Sequence, residues 1–212
     1  MLVDTGTVTD PVCRLVLERL EAAGVAVAVW DITTDIGLPA FSCLIADDPA
    51  RSQYVFPSGG GSGCHPARNI ALLRALTEAA QSRLTIIAGS RDDTFPDEYQ
   101  QFADDELLRA TVLKLAGTGE RDIRDTASYD TESVDDDVRL ELEGLRKAGF
   151  DRVIVVDLSH PRIGIPVVRI VIPGLETALP WPKTRYGTRA VAVLRRRLLD
   201  HALSNREDRA HG

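Results

Sequence analysis

The stretch that decides the fold runs from Gly59 to Asp93 and reads GGGSGCHPARNIALLRALTEAAQSRLTIIAGSRDD. Its glycine triplet, residues 59–61, is typical of a loop that is flexible or that approaches a ligand closely. A long helix is predicted from about 66 to about 87, and a polar loop follows it. The helix is mostly apolar, yet it carries Glu78 and Gln81 among its Leu and Ala residues. These two polar residues need a physical explanation.

The polar residues of this helix form one narrow stripe. At about 100° per residue, Gln81, Thr85 and Glu78 fall within about 40° of Arg74. Apolar residues occupy both flanks and the back, and Arg83 is the only charge among them. An ordinary surface helix has a broad polar face, so this pattern predicts a helix packed on most sides. We therefore expect the stripe to line a cleft or to join a buried network.

Two interpretations of Glu78 follow from its surroundings. It could form an ion pair with Arg74, which lies four residues earlier on the same face. Alternatively, Glu78 and Gln81 could bind Mg²⁺ or hydrogen-bond a nucleotide, because hard cations take carboxylate and amide oxygens. The loop after the helix offers further candidates for phosphate, for metal or for salt bridges, namely Arg91, Asp92 and Asp93.

No standard catalytic or phosphate-binding motif accompanies the helix. The GGGSG run has no Lys after it, so it is neither a P-loop nor a dinucleotide fingerprint. His65 is interpreted as a loop or capping histidine, because the other three histidines are not at metal-ligand spacing. Spacing also supports no Ser-His-Asp or Cys-His arrangement.

The composition predicts a soluble cytoplasmic protein. The 212 residues are 44% hydrophobic, and the chain carries a net charge of −7 with a pI near 5.1. Such a chain can bury a sizeable core, and its acidity argues against a nucleic-acid partner. Three scattered cysteines, Cys13, Cys43 and Cys64, fit a reducing compartment. No signal peptide or bilayer-spanning apolar run is visible, so no membrane role is expected.

An internal repeat organises the chain. Two segments share one predicted pattern: a helix end, a strand, an Asp, an Ile-Gly-x-Pro turn and a second strand. Their sequences are AAGVAVAVWDITTDIGLPAFSCLIAD and KAGFDRVIVVDLSHPRIGIPVVRIVIPG. Asp31 thereby matches Asp157. Residues 24–46 and 150–173 are predicted to form equivalent strand pairs. The alternative interpretation is simply two copies of a common αββ unit.

The predicted fold is α/β in the α+β sense, with repeated αββ units in one antiparallel or mixed sheet and helices packed on it. Helices are expected after the N-cap residues Asp10 and Ser133. A single domain is expected over 1–204, with a disordered tail over 205–212. Two further helices are predicted over DELLRATVLKL and TRAVAVLRRRLLDHALS.

The stretch HPARNIALLRALTEAAQSRLTIIAGSRDD resembles the second signature block of YcaO-domain proteins, especially the TfuA-associated subgroup. VVRIVIPGLE is similar to that group's C-terminal strand, and the resemblance covers most of the chain. It implies an ATP- and Mg²⁺-dependent enzyme that phosphorylates a peptide backbone amide, which a nucleophile then attacks to give an azoline, a thioamide or an amidine. The implied cofactor-binding residues are Glu78, Gln81, Arg74 and Arg91, and the implied metal ligands are Glu78, Gln81 and Asp92.

The chain departs from the family pattern in one large way. We find no Gly-Lys-Gly loop followed by a helix with paired glutamates, and Met1 stands where the middle of a full domain would be. Glu18 and Glu21 have a glutamate pair's spacing without that loop, so they are interpreted as exposed charges. The proline-rich C-terminus of azoline-forming members is also absent.

The sequence is consistent with two functions. The first is a truncated YcaO-like enzyme that acts on a peptide or protein and needs a partner, either TfuA-like or a chain that supplies the N-terminal half. The second is a non-catalytic half-domain that serves as a scaffold or peptide-binding module. A half-domain exposes core surface, so a homodimer is expected.

Overall fold

The computed structural model describes residues 1–48, 58–89, 119–176 and 187–196. Within these residues the α-helices are α1 (Pro11–Ala22), α2 (Arg68–Ala88) and α3 (Val134–Lys147), and residues 188–196 are also helical. The strands are β1 (Val3–Asp4), β2 (Val25–Asp31), β3 (Ala40–Asp47), β4 (Gly59–Cys64), β5 (Arg121–Asp122), β6 (Ile154–Asp157) and β7 (Val168–Val171).

The chain divides into two compact units, Met1–Ala148 and Gly149–Gly212. The first unit contains an antiparallel sheet in the order β2-β3-β4 and a short parallel pair, β1-β5. The second contains the antiparallel pair β6-β7. The α+β class with antiparallel sheets and packed helices is therefore confirmed. The strand pairs expected to share one sheet lie in separate sheets, because β6 and β7 pair only with each other among the described residues.

The predicted repeat is confirmed at the level of strand pairing. β2 pairs with β3 and β6 pairs with β7, each as an antiparallel hairpin. Asp31 and Asp157 each end the first strand of their hairpin. In both, Oδ1 accepts a hydrogen bond at 2.8 Å from the backbone N–H two residues later, of Thr33 and of Ser159. The matched aspartates therefore start equivalent Asx turns.

The two helix starts predicted from capping residues are confirmed. Asp10 accepts hydrogen bonds from the N–H groups of Val12 and Cys13 at 3.1 and 2.9 Å, and Pro11 occupies the first turn. Its second oxygen accepts a hydrogen bond from the Asn69 amide at 3.0 Å, which ties α1 to α2. Ser133 caps α3 through the N–H of Asp136. Asp10 thus serves both helix initiation and helix packing.

The glycine run is a strand, not the predicted loop. Gly59, Gly61 and Gly63 lie on the face of β4 that meets α2, and a Cβ added at any of them would lie less than 3.0 Å from atoms of that helix. Their registered neighbours on β3, namely Ile45, Cys43 and Phe41, are fully buried. The glycines therefore let α2 rest directly on the strand backbone, an approach that side chains would prevent.

A single face of α2 is buried, which corrects the expectation of packing on most sides. Leu84, on one flank of the stripe, is 67% exposed, and Ile87, in the last turn, is 44% exposed. The covered side is the one that rests on β4. The buried residues of α2 are Ala71, Leu72, Ala75, Leu76, Ala79 and Arg83.

Candidate functional site

The polar stripe of α2 lies along the outer edge of β4. β4 ends the order β2-β3-β4, so alternate backbone groups of this strand point away from β3. Oε2 of Glu78 accepts a hydrogen bond from the N–H of Ser62 at 2.7 Å. Nη1 of Arg74 donates to the carbonyl oxygen of Cys64 at 3.2 Å. Two side chains four residues apart on the helix therefore satisfy backbone groups two residues apart on the strand edge.

This arrangement corrects the expected cleft. Glu78 and Gln81 are both exposed, and neither lines the two cavities identified in the described residues. The reason is that α2 covers one face of the sheet, so the stripe emerges at the sheet edge. Each of Arg74 and Glu78 bonds β4, and the ion pair that their helical spacing permits is not formed.

The oxygen atoms of Glu78 and Gln81 fit part of a binding site for a divalent cation. Oε1 of Glu78 and the amide oxygen of Gln81 are hard oxygen ligands on one exposed stripe, and Glu78 bonds only Ser62 among the described residues. In those residues no group of three His, Cys, Asp or Glu side chains could hold a metal. Mg²⁺ usually takes one or two carboxylates and completes its shell with water and phosphate, so these two oxygens fit part of a Mg²⁺ coordination shell. Arg91 and Asp92 lie outside the described residues.

A second polar region lies at the starts of α2 and α3. A cavity of about 420 Å³ there is lined by His65, Asn69, Tyr129 and the segment 130–134, among others. Nδ1 of His65 accepts a hydrogen bond from the N–H of Ala67 at 2.9 Å, so His65 is a loop histidine; no side-chain cap bond is made at the start of α2. Its Nε2 lies 3.8 Å from Asp137. The histidine is therefore held by structural contacts.

Asp31 anchors a network that the sequence did not reveal. Its Oδ2 accepts a hydrogen bond from the hydroxyl of Thr126 at 2.6 Å and lies 3.0 Å from Nε of Arg121, which is not aligned for a hydrogen bond. Burial opposes ionisation of this carboxyl, but the bonds from Thr126 and Thr33 outweigh it, so the pKa of Asp31 is lowered. Nothing local in the acidic sequence around Thr126 indicates this role, which depends on a hydrogen bond between residues 95 positions apart.

The cysteines offer no activated thiol. All three are free. Burial raises the pKa of Cys13 to about 12, and burial does the same for Cys43. A nucleophilic cysteine requires the thiolate, which these two sites disfavour. The residue Cys64 is exposed at the edge of β4, but partial desolvation of its thiol raises its pKa as well.

Comparison with known proteins decides the family. A model described as YcaO cyclodehydratase, ATP- and Mg²⁺-binding, matches residues 2–176. The chain belongs to the YcaO family. Its expected membership is thus confirmed, and α2 with its polar stripe lies inside the matched region. Binding of ATP and Mg²⁺ is a property of the family; in this YcaO chain it is a proposal.

The curated relatives of this YcaO chain include a TfuA-associated protein. The chain is 35% identical over 199 residues to an uncharacterised protein in the tfuA 3′ region of Rhizobium leguminosarum bv. trifolii, covering 91% of this chain and 47% of that protein. It is 36% identical over 174 residues to an uncharacterised protein of Methanothermobacter thermautotrophicus, covering 81% and 44%. The chain spans about half the length of the curated relatives it matches.

Solved structures share the YcaO fold. A heterocyclase in complex with substrate and cofactor gives a TM-score of 0.64 at 24% identity, covering 82% of this chain and 23% of that one. YcaO from Methanopyrus kandleri, bound with AMPPCP and Mg²⁺, gives a TM-score of 0.54 at 21% identity, covering 82% and 45%. No described helix of this chain is both long and apolar enough to cross a membrane.

Proposed function

We propose that this chain provides part of an ATP- and Mg²⁺-binding site used to phosphorylate peptide backbone amides. Membership of the YcaO family supports the proposal. The observation that carries it is the carboxylate of Glu78 on the exposed edge of β4, where Oε2 is held by Ser62 and Oε1 has no hydrogen-bond partner among the described residues. A fixed carboxylate with one unbonded oxygen is a suitable ligand for a hard cation.

The predicted residues divide into two roles. Glu78, Gln81 and Asp92 would give oxygen ligands to Mg²⁺, and Arg74 and Arg91 would bind phosphate oxygens. The metal would neutralise charge on the transferred phosphoryl group. Arg74 uses Nη1 to bind Cys64, and a guanidinium has five N–H donors, so others are available for an anion.

We propose that the site is completed by elements beyond the described residues or by a second chain. A nucleotide with its metal needs ligands that converge from more than one element. The described residues supply one helix for this purpose. Without the converging partner, the nucleotide would be held weakly, and a misplaced phosphate would react slowly.

We also propose a peptide or protein substrate and a protein partner, either TfuA-like or a chain that carries the paired glutamates. The hairpin of the second unit supports a partner, because its apolar side chains are exposed; Val155, Val168 and Ile170 are 61%, 58% and 49% exposed. Large exposed apolar patches commonly mark interaction sites. A homodimer is one form of this proposal, and light scattering coupled to size-exclusion chromatography tests it.

The same hairpin supports the alternative function. A YcaO-family chain whose apolar hairpin binds another protein, without nucleotide turnover in the complex, would be a scaffold or a peptide-binding module. Nucleotide binding separates the two functions, because a scaffold does not require Glu78.

Calorimetry tests the proposed function. Wild-type protein titrated with Mg²⁺·AMPPCP is expected to bind weakly, and Glu78→Ala is expected to reduce the affinity about tenfold or more. Glu143→Ala removes an exposed glutamate from α3 and is the matched control, expected to bind like wild type. Equal affinity of wild type and Glu78→Ala would contradict the proposal and favour the scaffold.

A further inference from the structure

We propose that the main-chain N–H of Ser62 is the positioning group for Glu78: it holds Oε2 and leaves Oε1 as the single atom that ligates Mg²⁺. This inference rests on the proposed function. It adds a group that is not a ligand and that lies on a different element from the predicted ligands. It also specifies that Glu78 binds the metal through one oxygen.

The first support is the hydrogen bond itself. The N–H of Ser62 lies 2.7 Å from Oε2, a short distance typical of a bond to an ionised carboxylate. Ser62 is on the strand that ends the described sheet, and its N–H points away from β3, so no described strand offers it a partner in place of Glu78. This N–H belongs to the backbone of a strand that is paired with β3, so its position is fixed. The carboxylate is therefore oriented before a ligand arrives.

The second support is the fixed separation between α2 and β4. An added Cβ at Gly61 would lie less than 3.0 Å from backbone atoms of Ala75, Glu78 and Ala79. The helix backbone at Glu78 therefore rests on the strand backbone next to Ser62. Main-chain contact therefore fixes the distance between α2 and β4. At this distance the side chain of Glu78 is long enough to reach Ser62 on the strand edge.

The third support is the parallel bond from Arg74. One turn before Glu78, its Nη1 donates to the carbonyl oxygen of Cys64 at 3.2 Å, on the same strand edge. Two bonds at successive turns fix the rotation of α2 about its axis relative to β4. Glu78 is consequently presented at one position along the edge, beside Gln81 on the exposed side of the helix.

Amide hydrogen exchange tests the hydrogen bond without any metal. An outward N–H on an edge strand exchanges quickly unless a local acceptor protects it. The Ser62 amide is expected to exchange about tenfold faster in Glu78→Ala than in wild type, since the variant removes its bond to an ionised carboxylate. Thr77→Ala is the control, because Thr77 is adjacent to Glu78 and its hydroxyl bonds Leu73 within the helix. Equal exchange in Glu78→Ala and wild type would overturn the inference.

Metal affinity tests the positioning role. Ser62→Pro removes the N–H at a strand edge that accepts proline, and Ser62→Ala removes only the hydroxyl. Glu78→Asp keeps the carboxylate but shortens the side chain that reaches Ser62. It replaces Ser62→Pro as the test variant if the proline variant does not fold. With Mn²⁺ and AMPPCP as probe, followed by electron paramagnetic resonance, Ser62→Pro and Glu78→Asp are expected to bind about tenfold more weakly than Ser62→Ala.

The outcomes separate the inference from the function on which it rests. If wild type binds Mn²⁺ and a folded Ser62→Pro or Glu78→Asp binds equally well, the positioning role is wrong and the metal role stands. If wild type does not bind Mn²⁺ with AMPPCP, the proposed function fails, and the positioning role fails with it.

Discussion

The guanidinium of Arg83 lies 2.5 Å from the carboxylate of Asp47, and both side chains are buried. The pair joins α2 to the last residue of β3. It explains why one charge stands in the apolar part of this helix. Gly59 makes the pair possible, because its missing side chain lets the helix backbone at Arg83 approach β4.

Breaking this pair is expected to destabilise the protein strongly. Arg83→Met or Asp47→Ala breaks a buried ion pair, which costs about 3–5 kcal/mol of unfolding free energy. The double variant Asp47→Leu with Arg83→Met is expected to lose less, because neither charge remains. Urea denaturation measures all three. Single variants within about 0.5 kcal/mol of wild type would show that the pair contributes little.

The glycines of β4 are expected to differ in their tolerance of a methyl group. Gly61→Ala places a Cβ against the backbone of α2 and is expected to cost about 3 kcal/mol or more, since the helix must move. Among the described residues, the Cβ of Gly60→Ala meets only the carbonyl oxygen of Cys43, at 3.9 Å, and the variant is expected to change stability by less than about 0.5 kcal/mol. Thermal unfolding compares the two. Equal losses would contradict the close helix–strand contact.

The Asp10 cap predicts a pH-dependent contribution to stability. Hydrogen bonds, first from the N–H of Cys13 and then from Asn69, lower the pKa of Asp10 below its ordinary value of 3.8. Because the folded pKa is the lower one, the stabilisation is fully present above about pH 4 and is lost as the pH falls through the folded pKa.

Asp10→Asn keeps an oxygen acceptor and removes the charge. Its deficit in unfolding free energy relative to wild type is expected to be about 1 kcal/mol at pH 7 and to shrink below pH 4. Denaturation series at several pH values measure this difference. A deficit that stays constant from pH 7 to pH 2 would refute the role of the charge.

The isolated chain is expected to hydrolyse ATP slowly or not at all. One described helix presents Glu78 and Gln81, and phosphoryl transfer needs ligands from several elements. A coupled phosphate-release assay with Mg²⁺ and a peptide measures turnover, and Glu78→Ala shows how much depends on the proposed site. Robust turnover that disappears in Glu78→Ala would mean that the chain holds a complete site.

The resemblance to the YcaO family could be found from the sequence because it rests on a contiguous block around α2. The roles of Glu78 and Gln81 remain predictions, since their partners Arg91 and Asp92 lie outside the described residues. The network of Asp31 with Thr126 could not be predicted, because hydrogen bonds between residues 95 positions apart leave no local pattern.

The sequence by itself determined the local structure. Asp10 and Ser133 start their helices because each carries an acceptor within reach of the next turn. Asp31 and Asp157 end equivalent strands for the same local reason. Only the tertiary structure decided that Gly59–Cys64 is a strand and that Glu78 faces its edge. A glycine run carries no strand signal of its own. It becomes a strand here because β3 pairs with it and α2 requires a surface without side chains, and both conditions depend on contacts between separate elements.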